Sequence, residues 1–156
     1  MLAATVAALA CTASSAVENQ SRFVVGVRVL PRTTLEVRSV PSALTISAGD
    51  VRRAYIDVWQ PTRLEVTNNS PDGYALLVEP TVRVFKAVVV RGAGPAALLG
   101  GDGGAIAERG QTGARLPLSL NFRFELAPHV VPGRYPWPLE LAVRPLTDFE
   151  TAPVSN

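Results

Sequence analysis

Arg115-Leu-Pro-Leu-Ser-Leu-Asn-Phe-Arg-Phe-Glu-Leu126 is the stretch that decides the fold. Leu116, Leu118, Leu120, Phe122, Phe124 and Leu126 alternate with Arg115, Pro117, Ser119, Asn121, Arg123 and Glu125. A period of two sustained over this length puts one apolar row on a core and one polar row in water. On a helix the same residues would be scattered around the circumference. Working outward, the period returns from Tyr135, where Trp137, Leu139, Leu141 and Val143 oppose Glu140 and Arg144. Pro136 and Pro138 fall on the outward row of that segment, where a missing amide is tolerated at a sheet edge or strand start. Upstream, Ala54, Ile56 and Val58 oppose Arg53, Tyr55 and Asp57, and Leu64 and Val66 oppose Arg63 and Glu65. Leu35 and Val37, Leu44 and Ile46, and Tyr74, Leu76 and Val78 continue the series. Val82 to Val90 is nearly all apolar, which predicts a central strand covered on both faces.

Turn signals separate these runs: Leu30-Pro31, Val40-Pro41, Ala48-Gly-Asp50, Gln60-Pro61, Asn68 to Gly73, Glu79-Pro80 and Val131-Pro-Gly133. Short strands at this spacing, with 13 Pro and 12 Gly and no sustained helical period, predict an all-β chain folded as an antiparallel sandwich or barrel. The contrary features are weak: Ala96–Leu99 and Ala105–Arg109 could each form one helical turn inside a Gly-rich excursion, whose residues 91–104 read as a hairpin connection. The organisation expected is a signal peptide over 1–16, one β-sandwich domain over 17–146 and a tail over 147–156.

The amino terminus carries the expectation of export. Leu2 to Ala10 is apolar, but shorter than the ~20 residues that span a bilayer. Small residues follow in Cys11-Thr-Ala-Ser-Ser-Ala16, as in a secretory h-region and cleavage site. The other reading of the run is a buried helix at the head of the domain. Cys11 follows Ala8-Leu-Ala10, with Leu one position nearer than a lipoprotein signal places it, so loss with the signal is favoured over a lipid anchor.

With 47% hydrophobic residues the chain can build a substantial core, and 15 basic against 13 acidic residues leave a formal charge of only +2. That balance argues for neither nucleic acid nor an anionic membrane as partner. One Cys and one His supply neither a zinc site nor a disulfide framework. His129 lies in a turn with no partner picked out by the sequence, and no nucleophile elbow, zinc-protease or phosphate-loop motif occurs. Asp102 and Glu108 are too few oxygens for calcium, which takes six or more. The expectation is a protein without catalytic residues, metal or cofactor. Tyr55 and Trp59 share a parity opposite to the apolar row of their strand, which predicts an aromatic outer face suited to carbohydrate or protein. Packing of an aromatic under a loop is the favoured reading over such a face. Tyr74, Tyr135 and Trp137 complete the set of candidate platform residues. Asn68-Asn-Ser70 matches a glycosylation acceptor, a pattern too short to weigh.

Two segments together resemble bacterial immunoglobulin-like surface domains, including the spore-coat-U-like pilin subunits of archaic chaperone–usher systems. They are Asn69-Ser-Pro-Asp-Gly-Tyr-Ala-Leu-Leu-Val78 and Pro132-Gly-Arg-Tyr-Pro-Trp-Pro-Leu-Glu-Leu-Ala-Val143. The resemblance implies an immunoglobulin-like β-sandwich, a role in a surface fimbria, adhesion or biofilm attachment, and pilus subunits and a periplasmic chaperone as partners. It also implies assembly by strand addition, for which Phe23, Val25, Val27 and Val29 are the apolar row of a strand-exchange segment. The same residues read equally as an integral first strand. The disulfide usual in that group has no cysteines here once Cys11 is removed.

Overall fold

In the computed structural model, which describes residues 29–146, Gly113–Leu126 forms a strand at the centre of the larger of two main sheets. In chain order the elements are β1 (Thr33–Ser39), β2 (Ala43–Ile46), α1 (Ala48–Arg53), β3 (Tyr55–Asn68), β4 (Gly73–Pro80), β5 (Phe85–Arg91), β6 (Ala97–Gly100), β7 (Gly104–Arg109), β8 (Gly113–Leu126), β9 (Gly133–Pro136) and β10 (Leu139–Pro145). A five-stranded sheet runs β1-β3-β8-β5-β6 and a three-stranded sheet runs β10-β4-β7, while β2 and β9 pair as a ribbon. Every pairing is antiparallel. The chain is thus an all-β antiparallel sandwich, as its period-two runs require.

The core lies between the inward rows. Leu64, Leu120, Phe122, Phe124, Val88 and Val90 of the large sheet meet Leu76, Val78, Ile106 and Leu139 of the small one, and the ribbon adds Leu44 and Ile46. Phe85 stands 5.0 Å from Phe124, and Trp137 meets Phe122 and Phe124 edge-on at 5.7 and 5.8 Å. Such tilted and edge-to-face contacts suit the ring quadrupoles. The outward row of β8, Ser119, Asn121, Arg123 and Glu125, is exposed or half-buried.

Several local expectations are corrected. Residues 48–53 are a short helix rather than a turn leading into a strand at Arg53. The cause is local chemistry and not periodicity. The Ser47 amide and hydroxyl both donate to Asp50 Oδ2, at 2.8 and 2.5 Å, and the Asp50 amide donates back to Ser47 Oγ at 3.2 Å. This reciprocal cap satisfies the free amides of the first turn. Ala54, at φ 61°, stops the helix in the left-handed conformation and turns the chain into β3.

Ala96–Leu99 and Ala105–Arg109 are not helical turns: residues 97–99 lie in β6 and Ala105–Arg109 in β7. β6 pairs with β5 in the large sheet and β7 with β4 in the small one, so the Gly-rich excursion carries the chain from one sheet to the other. The crossing occurs at Gly100–Gly103, where the Gly103 amide donates to the Gly100 carbonyl at 3.0 Å. Gly103 has φ +82°, and a Cβ there would meet the Val78 carbonyl oxygen at 2.1 Å, so a side chain is excluded. The apolar run Val82–Val90 supplies an interior strand, β5 between β8 and β6, but one covered on a single face: Val88 and Val90 are buried, while Lys86 is exposed and Val89 half-buried.

The segment from Tyr135 is not one strand. It divides at Trp137-Pro138 into β9, paired with β2, and β10, paired with β4, and Pro138 is buried rather than outward. Gln60-Pro61 does not end a strand either, because β3 runs through it. The signal peptide, Cys11, Phe23, Val25, Val27 and the tail lie outside the described residues. Val29 lies within them, exposed. Among the described residues no helix is long and apolar enough to cross a membrane.

The cap on α1 has a measurable consequence. The Ser47 hydroxyl and amide, and then Arg53, hold the Asp50 carboxyl below its ordinary value of 3.8. A lowered folded value means that the stability from this carboxylate is complete above the unfolded pKa and is lost as pH falls through the folded one. Asp50→Asn should therefore flatten the acid limb of the melting temperature against pH below about pH 4. Ser47→Ala should cost ~1 kcal/mol at neutral pH. Identical acid limbs for wild type and Asp50→Asn would show that the carboxylate is not coupled to folding.

Candidate functional site

Between Val58, opposite Phe122, and Thr62, opposite Leu120, β3 holds Trp59, Gln60 and Pro61 against the one residue Asn121 of β8. Pro61 offers no amide to the ladder, and the two surplus residues are absorbed as a wide bulge. Thr62 returns to the core side with its hydroxyl buried and, among the described residues, without a partner. Trp59 is thrown outward to 87% exposure. A tryptophan so bare gives up the burial that normally stabilises its ring.

Tyr55 lies on the outer face of the same strand, two positions from Asp57. Asp57 stands opposite Arg123 in the ladder, and the pair is bidentate: Arg123 Nε donates to Asp57 Oδ1 at 2.7 Å and Nη2 to Oδ2 at 3.0 Å. The Arg123 hydrogen bonds hold the Asp57 carboxyl below its usual range, and Asp57 in turn raises Arg123. The Arg123 guanidinium lies 4.7 Å from the centre of the Tyr55 ring, and that of Arg53 lies 5.5 Å from it. Arg53 is itself paired with Asp50. Tyr55, Asp50, Arg53, Ile56, Asp57 and Trp59 line an open cleft of about 410 Å³.

The structure thus brings both predicted aromatics to one cleft, in different states. Tyr55 is half-buried and already serves as a shelf for two guanidiniums. Trp59 is the free ring, and the reading of it as packed under a loop does not hold. The remaining candidates belong to the interior. Tyr74 is 1% exposed, and burial pushes its hydroxyl up to about 12. Trp137 packs on the phenylalanine cluster. Tyr135 donates its hydroxyl to the Val131 carbonyl at 2.8 Å, fixing the turn into β9 as a tyrosine corner does. Asn68 is 2% exposed with its amide bonded inside the loop, which removes it as an acceptor for glycosylation in the folded chain.

Sequence reasoning did not single out Arg123 or Asp50. Arg123 reaches Asp57 across 66 residues of chain, so only the register of β3 on β8 joins them. Asp102 lies in the turn before β7 and Glu108 near the far end of that strand, and the two do not converge. His129 is exposed, with Nε2 3.3 Å from the Arg83 carbonyl oxygen. Among the described residues no group of three or more His, Cys, Asp and Glu side chains could hold a metal. Comparison with protein-family models, curated proteins and solved structures found no match to the chain.

Proposed function

We propose that this chain is an exported, non-enzymatic β-sandwich that works by contact in adhesion or surface attachment, binding its target through the aromatic outer face of β3. The observation that carries the reading is Trp59, held out on a bulge at 87% exposure beside a cleft whose charges are already paired. A tryptophan presents a large contact area on only two side-chain torsions, so little freedom is lost when it is held, which favours binding. The test is retention of the full chain on a panel of immobilised polysaccharides. Trp59→Ala should weaken retention about tenfold, the ratio given by about 1.4 kcal/mol of lost aromatic contact, while the melting temperature stays unchanged. Retention equal to wild type across the panel would sink the reading.

A pilin-like assembly role draws on a different observation. Among the described residues β1 is an edge strand, and along its inward row Leu35 is half-buried while Val37 is 50% exposed. An added strand with apolar residues at alternate positions would cover that row. Pilus subunits and a periplasmic chaperone would then be partners, and the full chain would form polymers separable by gel filtration.

A further inference from the structure

We infer that the outer face of the five-stranded sheet takes an acidic polysaccharide, with Trp59 against a sugar ring and the guanidiniums of Arg63 and Arg91 on its carboxylates. The inference rests on the reading of that face as a binding surface and adds the class of ligand.

Strand register places the three residues. Ser119 and Asn121 are successive outward positions on β8. Arg63 of β3 stands opposite Ser119, and Arg91 of β5 stands opposite Asn121 from the other side. The bulge carrying Trp59 also stands against Asn121. Two strand spacings across and two residues along put Arg63 and Arg91 ~12 Å apart at the backbone, with Trp59 on the strand of Arg63 at the level of Arg91. The span suits an extended chain and exceeds a single small anion.

Charge bookkeeping on this face singles out the same two residues. Its four carboxylates are all engaged: Glu36 with Arg38, Glu65 with Arg38 and Arg115, Asp57 with Arg123, and Glu125 with Lys86. Among the described residues Arg63 and Arg91 have no ion-pair partner, and both are exposed. Two exposed guanidinium forks outside the salt bridges, near an exposed aromatic ring, match carboxylates borne on a ring with an apolar face. A phosphate backbone fits less well, because its denser charge would press against the four carboxylates.

The experiment follows the fluorescence of the full chain, whose only tryptophans are Trp59 and the packed Trp137, during titration with polygalacturonate oligomers. The same oligomers after reduction of their carboxyl groups serve as the neutral probe. The acidic oligomer should shift the emission to the blue and bind more weakly as salt rises, and the reduced one should not bind. Arg63→Ala combined with Arg91→Ala should lose affinity tenfold or more, with the melting temperature retained. Arg134→Ala, another exposed arginine, should bind as wild type. Equal binding of both oligomers would overturn the acidic class and leave the binding face standing. Single-stranded DNA or phosphatidylglycerol vesicles competing equally, with Trp59→Ala unaffected, would mean mere attraction of polyanions and overturn the inference. So would the absence of any fluorescence change with the acidic oligomer.

Discussion

Phe122→Ala is expected to lower the free energy of unfolding by about 3–5 kcal/mol, the range for a truncated buried aromatic. The ring is 1% exposed on the central strand, between Val58 of β3 and Val90 of β5 in the ladder. It lies 6.1 Å from Phe124 and 5.7 Å from Trp137. Its neighbours lie on β3, β5, β8 and the β9–β10 link, so no single element can move in to close the space, and the cavity term stays large. Ser119→Ala, on the outward row of the same strand, should change stability by well under 1 kcal/mol. Urea denaturation of the two variants makes the comparison. Similar losses in both would contradict the inward and outward assignment of β8.

Asn68→Ala should cost about 2–4 kcal/mol, because it strands several buried groups at once. Asn68 Oδ1 accepts from the Thr33 hydroxyl at 2.7 Å and from the Ser70 amide at 3.1 Å. Its Nδ2 donates to the Ser70 carbonyl at 3.1 Å and to the Gln111 carbonyl at 2.7 Å. One side chain therefore ties the start of β1, the β3–β4 loop and the approach to β8. Asn68→Asp keeps the acceptor but sets a carboxylate against two carbonyl oxygens, so it should be no milder at neutral pH. Equilibrium unfolding would read both. A cost within 0.5 kcal/mol, ordinary for surface sites, would mean that water replaces these bonds freely.

What the sequence made legible was whatever a period of two can carry. Leu120, Phe122 and Phe124 read as core and are core, and the parity of Tyr55 and Trp59 placed them outward, where they lie. Helix α1 left no such trace: six residues give too little length for a helical period, and the Ser47–Asp50 cap that forms it is a local hydrogen-bond exchange. β6 and β7 were obscured by Ala and Gly, which have weak strand preference and acquire their conformation from β5 and β4. The bulge at Trp59–Pro61 reads in sequence as a turn because proline marks both. Only the ladder on β8 tells an interruption of pairing from an end of the strand. The ion pairs around Tyr55 were hidden for the same reason, since register across distant strands is a tertiary property.

The order of the strands also governs time. Of the strand pairings, β5 with β6 alone joins neighbours in the sequence; β3 must find β8, Tyr55 opposite Glu125, and β4 must find β10, Tyr74 opposite Pro145. Each long loop must close, at a cost that grows as ~(3/2)RT ln n, before its contacts stabilise anything. Folding on the millisecond-to-second scale of non-local β-topologies follows. A chain growing from its amino terminus cannot complete either main sheet until β8 and β10 have been synthesised. The large sheet can close once β8 is made, but the small one stays open until almost the last described residue.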